Sequence, residues 1–317
     1  MKSYTLRNGD QIPALGLGTW KSEPGEVYKA VRTAIKVGYR HFDCAYIYQN
    51  EKEIGAAFHD SIMTGEVNRE ELWITSKLWN THHQETDVEE CLRITLESLQ
   101  LDYLDLYLVH WPVAQRKDAI FPQDGADLVS LTEISLEETW RGMEGVLNAN
   151  LTRHIGVSNF SKAKIEWVNQ SAQNKIEVNQ VEMHPLLQQS ELLEYCLKED
   201  IIVTAYSPLG SRDRAAEMKA ENEPDMFEIP EVIEIAKKHD CSVAQVLLAW
   251  AVNRDTVVIP KSTNEGRLRQ NLEAAEMKLS AEEMTTINQL DRHFRYVNGA
   301  FFTLPGSDYT IAKLWDE

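Results

Sequence analysis

Between residues 14 and 260, short apolar runs alternate with longer amphipathic stretches, and that alternation limits the chain to few folds. The runs are 14–17, 39–43, 72–76, 104–110, 153–157, 177–181, 202–206 and 257–259. Stretches with helical period lie between them, at 27–37, 88–99, 136–149, 191–199 and 243–252 among others. Leu104, Leu106, Leu108 and Val109 make a nearly continuous apolar run, as expected of a parallel strand covered on both faces. Eight strands with intervening helices predict an α/β fold, a single (β/α)8 TIM barrel. The rival is an open doubly wound sheet, which calls for a glycine fingerprint after the first strand. Here Gly16-Leu17-Gly18-Thr19-Trp20-Lys21 gives GxG and no third glycine.

The alternation breaks in three places. Asn8-Gly9 predicts an N-terminal β-hairpin with a type I′ turn. Residues 210–225, charged and poor in large apolar side chains, follow the seventh strand. Residues 291–317 carry Gly299, Pro305 and Gly306 and show no helical period until the very end. In a barrel the long loops after strands sit on the catalytic face. The expectation is therefore one domain over 1–317, with residues 210–225 and the tail 291–317 walling the barrel mouth.

Composition removes several classes of function. Fifty acidic against 32 basic residues leave a net charge of −18, a poor match for nucleic acid or anionic lipid. No apolar run is long enough to span a membrane, and the first ten residues lack the apolar stretch of a signal peptide. Cys44, Cys91, Cys196 and Cys241 are far apart without CxxC, which predicts reduced, buried thiols in a cytoplasmic protein. His82-His83 with Glu85 invites a metal reading. Metal-dependent barrel hydrolases, however, usually carry an HxH pair at the end of the first strand, where this chain offers no ligand set. No metal is expected.

Polar residues stand at successive strand ends: Asp43, Lys77 and His110, with Tyr48 in the loop after Asp43. Strand ends converge on a barrel mouth, so these four can meet. An ammonium beside a phenol favours the phenolate, which would lower a pKa that is ordinarily near 10. Asp43 would hold Lys77 charged and aimed. His110 would donate to a carbonyl oxygen where negative charge develops.

Several segments carry a resemblance. They are Gly38-Tyr39-Arg40-His41-Phe42-Asp43-Cys44-Ala45-Tyr46-Ile47-Tyr48-Gln49-Asn50-Glu51, Thr75-Ser76-Lys77-Leu78-Trp79, Leu108-Val109-His110-Trp111-Pro112 and Gly156-Val157-Ser158-Asn159-Phe160. Asn179-Gln180-Val181-Glu182-Met183-His184-Pro185, Ala205-Tyr206-Ser207-Pro208-Leu209-Gly210 and Ile259-Pro260-Lys261-Ser262-Thr263 complete the set, in this order along nearly the whole chain. The sequence resembles the aldo-keto reductases, of the aldose, aldehyde and xylose reductase kind.

The resemblance implies a catalytic tetrad of Asp43, Tyr48, Lys77 and His110, the four residues already singled out by their chemistry. It implies a nicotinamide site at Thr19, Trp20, Ser158, Asn159 and Gln180, with Tyr206 stacking on the ring. Ser207, Leu209 and Ser211 would begin the loop over the pyrophosphate. Lys261, Ser262, Thr263 and Arg267 would clamp an adenosine 2′-phosphate, with Gln270 and Asn271 at adenine. NADPH is thus the expected cofactor. Gln270, where many relatives carry glutamate, and Asn264 near the phosphate leave room for NADH as second choice. Trp20, Trp79, His110, Trp111, Phe121 and Asn298 are the expected substrate contacts, whereas Trp140, Trp167 and Trp250 sit in helical patterns and read as core. The reaction expected is reduction of an aldehyde, aldose, sugar phosphate or ketone carbonyl by hydride from nicotinamide C4, Tyr48 giving the proton. The partner is a small-molecule carbonyl substrate, and the protein a monomer or weak homodimer. The alternatives are a cofactor-binding regulatory protein with little turnover, or a metal-dependent hydrolase.

Overall fold

The computed structural model describes residues 2–317. Its centre is a parallel sheet of eight strands: β1 (Leu17–Gly18), β2 (His41–Asp43), β3 (Trp73–Leu78), β4 (Leu104–Val109), β5 (Thr152–Ser158), β6 (Val178–Glu182), β7 (Ile202–Tyr206) and β8 (Val257–Val258). Neighbours in sequence are neighbours in the sheet throughout. The edges meet: Leu15 bridges Val258, and the N–H of Gly18 reaches the carbonyl of Pro260 at 3.1 Å. At this seam a Cβ on Gly18 would lie 2.7 Å from the Ile259 carbonyl oxygen, so only glycine lets the barrel close there.

Helices α1 (Glu26–Val37), α2 (Glu51–Met63), α3 (Val88–Leu99), α4 (Leu136–Asn148), α5 (Lys162–Asn169) and α6 (Ser190–Lys198) each follow a strand. Two helices, α7 (Pro230–Lys238) and α8 (Val243–Val252), lie between β7 and β8, and α9 (Glu265–Ala274) and α10 (Ala281–Asn288) follow β8. Helix α9 packs on α8 and on α1, which completes the outer ring. The apolar stripes of these helices and the outer face of the sheet form one large core that includes Trp140 and Trp250, with Trp167 packed partly buried against it. A smaller cluster of Leu6, Ile12, Trp73, Leu106, Leu108, Val178 and Val257 fills the opposite end of the barrel, where the N-terminal hairpin plugs it. All four cysteines are free thiols; Cys44, Cys91 and Cys196 are buried as expected, whereas Cys241, just before the start of α8, is only partly so. No described helix is long and apolar enough to cross a membrane.

Three local expectations change. The hairpin pairs Ser3–Thr5 with Gln11–Pro13, but its turn is not type I′. Only Gly9 is left-handed (φ 94°), and Leu6 exchanges backbone bonds with Gly9 and Asp10, giving a three-residue loop. The extra residue lets the Asn8 side chain accept the Asp10 N–H at 2.9 Å, a bond of its own that competes with the tighter turn. Strand β3 runs two residues further than its apolar pattern, because Ser76, Lys77 and Leu78 continue the ladder against Tyr107, Leu108 and Val109. The long loop after β4 holds a small antiparallel pair, Ala114–Gln115 with Leu128–Val129, too short to leave a period in the sequence. The tail ends in α11 (Ile311–Trp315), capped by Thr310.

Candidate active site

The strand ends deliver the expected residues to one place. Asp43 closes β2, Lys77 is the penultimate residue of β3, and His110 follows β4, its N–H bonded to the Leu78 carbonyl at 3.1 Å. Side chains alternate along a strand, so Lys77 points into the barrel while Ser76 faces the helices and donates to the buried Glu51 at 2.6 Å. Tyr48 lies on a single 3₁₀ turn, Tyr46–Tyr48, which Gln49 ends in the left-handed region. Asn50 then donates to the Thr19 carbonyl (2.9 Å), tying this turn to the segment after β1.

Lys77 and Asp43 form an ion pair with an N–O distance of 2.5 Å, their side chains 0% and 3% exposed. The Lys77 ammonium also donates to the Cys44 carbonyl (2.8 Å) and stands 5.2 Å from the centre of the Tyr48 ring. The other Asp43 oxygen accepts from Gln180 Nε2 at 2.7 Å. Across the mouth the His110 ring meets Tyr48 edge-on, with centroids 5.9 Å apart. The tetrad expected from sequence is therefore one cluster.

Its electrostatics differ in one respect from the sequence expectation. Burial raises the Tyr48 phenol to about 12; Lys77 pulls it down and Asp43 pushes it up, and burial outweighs the lysine. The phenol is thus firmly protonated near neutrality. Burial works against the Lys77 ammonium, but Asp43 and Tyr48 hold it above its ordinary range. Burial, with Lys77 nearby, pushes His110 well below its ordinary value, so it is a neutral imidazole. The site offers a neutral phenol, a neutral imidazole and one fixed ammonium, a set that can donate hydrogen bonds and a proton to an oxygen gaining charge.

Most of the expected nicotinamide residues gather beside this cluster. The Thr19 hydroxyl donates to the Asp43 carbonyl (2.8 Å), and the Ser158 hydroxyl to the Gln180 carbonyl (2.8 Å). The Asn159 amide donates to the His110 carbonyl (2.9 Å) and its oxygen accepts the Tyr206 hydroxyl (2.8 Å). Ser207 and Ser211 bracket the start of the long loop after β7, both in the left-handed region, with Leu209 partly buried between them. Further round the rim, Lys261, Thr263, Arg267 and Gln270 are exposed around the start of α9, while Ser262 and Asn271 are buried. Asn264 caps that helix by accepting the Arg267 N–H at 3.0 Å. Two cations at a capped N-terminus make a donor set suited to a phosphate.

The aromatic wall is uneven. The Trp79 ring lies 5.3 Å from His110, and Trp111 packs on Phe301 and Phe302 of the tail at 5.5 and 5.3 Å. Trp20 faces Tyr48 at 6.3 Å. Phe121 is 59% exposed, further out than the other rings. Asn298 is exposed, its side-chain oxygen spent on the Ala300 N–H at 2.9 Å. His82 bonds Thr81 and Glu85 bonds Arg141, and among the described residues no three His, Cys, Asp or Glu side chains are grouped so as to hold a metal ion.

Some residues that shape the site carried no signal. Lys21 donates to Ser211 (2.8 Å) and Asp213 (2.6 Å), latching the loop after β7 across the mouth. Arg214 of that loop is buried and four-fold bonded. Glu182 is fully buried and receives two backbone N–H groups of the tail. Lys21 directly follows Trp20 and Glu182 stands in the Asn179–Pro185 segment, but neither place says what the residue bonds.

Comparison with known proteins gives the family. The model of the aldo/keto reductase family matches residues 14–292. An aldo/keto reductase of Synechocystis is 54% identical over 317 residues, 100% of this chain and 97% of the relative. Aldo-keto reductase family 1 member A1 of Xenopus tropicalis is 48% identical, covering 92% of this chain and 90% of the relative. The aldose reductase of Schistosoma japonicum superposes with a TM-score of 0.87 at 36% identity, over 98% of this chain and all of that one. A family match across the barrel, on a mouth that assembles Asp43, Tyr48, Lys77 and His110, establishes the protein as an oxidoreductase that belongs to the aldo/keto reductase family.

Proposed function

We propose that the protein uses NADPH to reduce an aldehyde or aldose carbonyl to the alcohol. The observation that carries this reading is the fully enclosed Lys77–Asp43 ion pair under Tyr48, facing His110. When bound, the nicotinamide supplies a hydride to the carbonyl carbon. The chain supplies the rest. Tyr48 and His110 hydrogen-bond the carbonyl oxygen, and as charge builds there Tyr48 hands over its proton. Burial keeps the phenol protonated until charge builds on the carbonyl oxygen, which then becomes the stronger base and takes the proton. Lys77 compensates the phenolate left behind, and Asp43 keeps Lys77 in place.

The residues fit the dinucleotide. Ser158, Asn159 and Gln180 offer amide and hydroxyl partners beside the tetrad, and Tyr206 a ring to stack on. Lys261, Ser262, Thr263 and Arg267 offer cations and hydroxyls for a 2′-phosphate in a chain of net charge −18, with Gln270 and Asn271 at the adenine end. This favours NADPH, with NADH second. Trp20, Trp79 and Trp111 favour a substrate with an apolar face next to its carbonyl. A panel of aldoses, aldose phosphates and aromatic aldehydes, scored by kcat/KM with NADPH and NADH, tests it. Turnover of aldehydes with NADPH preferred is expected; turnover only with NADH, or none with any carbonyl, overturns the proposal.

A further inference from the structure

Tyr296 stands where the loop after β7 meets the tail, and every polar group it has is used. Its N–H donates to Glu182 at 2.6 Å, and the next N–H, of Val297, donates to the other Glu182 oxygen at 2.7 Å. Glu182 closes β6 and is also bonded by His184 at 2.8 Å, so the tail is fastened to the rigid barrel. The Tyr296 carbonyl accepts from Arg214 Nη1 at 2.6 Å, and its hydroxyl donates to the Pro224 carbonyl at 2.7 Å. Arg214 and Pro224 belong to the loop over residues 210–225. Within it Arg214 also holds the Met218 carbonyl and Glu223, both at 2.6 Å. Gly210, the first residue of the loop, lies so close beneath the ring that a Cβ there would sit 3.2 Å from Tyr296 Cζ.

The two segments fixed to Tyr296 do different work. The loop is latched over the mouth by Lys21 on Ser211 and Asp213, beside the side chains assigned to the nucleotide. The tail places Phe301 and Phe302 on Trp111, and the Trp315 indole on the Asn298 carbonyl at 2.8 Å. A loop and a wall sharing one buried guanidinium cannot shift independently without leaving Arg214 or the Tyr296 carbonyl unpaired, which is costly in a dry site.

We propose that Arg214 and Tyr296 form a joint that sets the nucleotide-side loop and the substrate-side tail together, so that dinucleotide binding pre-organises the substrate wall. This rests on the NADPH reading above. Arg214 acts as a positioning residue, with its effect passing through Tyr296. The coupling follows from linkage: a ligand that holds the loop in its latched arrangement also favours the tail arrangement bonded to it.

Hydrogen exchange of the full-length protein with and without NADPH is the test, read on peptides covering Tyr296–Phe302. In the wild type, saturating NADPH slows exchange there by at least about fivefold, the lower end of inter-site coupling. In Arg214→Met, NADPH still binds, by quenching of tryptophan fluorescence, but the slowing in the tail is lost and KM for the aldehyde rises while kcat holds. If Arg214→Met folds poorly, Glu223→Gln loosens the same guanidinium and gives a smaller loss of the same kind. NADPH that binds without slowing the wild-type tail, or slows it equally in the variant, overturns the joint alone. Absence of NADPH binding to the wild type overturns the nucleotide reading and the joint with it.

Discussion

Replacing Lys77 with Met separates what this residue does for the fold from what it does for the reaction. The Lys77 and Asp43 side chains are 0% and 3% exposed, with 2.5 Å between charged atoms. Methionine keeps the length and removes the charge, leaving a buried carboxylate bonded on one side only, by Gln180. Stranding one member of a buried pair costs about 3–5 kcal/mol. At about 2 °C per kcal/mol for a large domain, that lowers Tm by roughly 6–10 °C. Adding Asp43→Asn removes the stranded charge while its amide oxygen still accepts from Gln180, so the double variant recovers most of the lost Tm. Activity behaves otherwise. Without the ammonium, Tyr48 loses the one cation that lowers its pKa and compensates its phenolate, so carbonyl reduction falls by at least about two orders of magnitude in both variants. The assay is thermal unfolding by circular dichroism beside steady-state NADPH oxidation with an aldehyde. An unchanged Tm in Lys77→Met, or activity returning with stability in the double variant, refutes the reasoning.

Two further outcomes follow from other parts of the molecule. Removing Lys261 or Arg267 weakens NADPH roughly tenfold or more, from one lost charge-assisted contact, and leaves NADH nearly unaffected in fluorescence titrations; equal losses would make the cluster structural. His154 has carboxylates on both ring nitrogens, Glu177 at Nδ1 and Asp10 at Nε2, and although burial opposes its charge these two raise its pKa above the ordinary 6.5. Its contribution to stability is therefore full below about pH 6.5 and lost as pH rises through the higher folded value, so the Tm gap between wild type and His154→Gln narrows from pH 6 to pH 9.

The barrel was legible because its signal is repetitive. Each strand from β2 to β7 sits within about two residues of its apolar run, and Val88–Leu99 and Val243–Val252 coincide with their periodic stretches. The meeting of Asp43, Lys77 and His110 was legible because strand ends converge on the mouth, and Tyr48 follows Asp43 closely enough to reach the same place on its 3₁₀ turn. What escaped depends on contacts between residues distant in sequence. Arg214 reads as one more charge in a charged loop, yet it is buried by Tyr296, 82 positions on. Glu182 looks like a strand-end acid, but its carboxylate is satisfied by backbone N–H groups that leave no mark on a sequence. For the same reason the tail cannot be read as a wall by itself: Tyr296 and Val297 are bonded to Glu182, and Tyr296 to Arg214 of the loop after β7. The hairpin turn escaped because Asn8 uses its side chain to cap the turn, which a dipeptide preference does not register.

Tyr48→Phe probes the proton donor with the least disturbance, since the ring and its contacts with Trp20 and His110 remain. Titration of the variant with NADPH, followed by aldehyde-dependent NADPH oxidation at saturating cofactor, is predicted to give unchanged cofactor binding and a kcat lower by at least about two orders of magnitude. Near-normal turnover in Tyr48→Phe would contradict it.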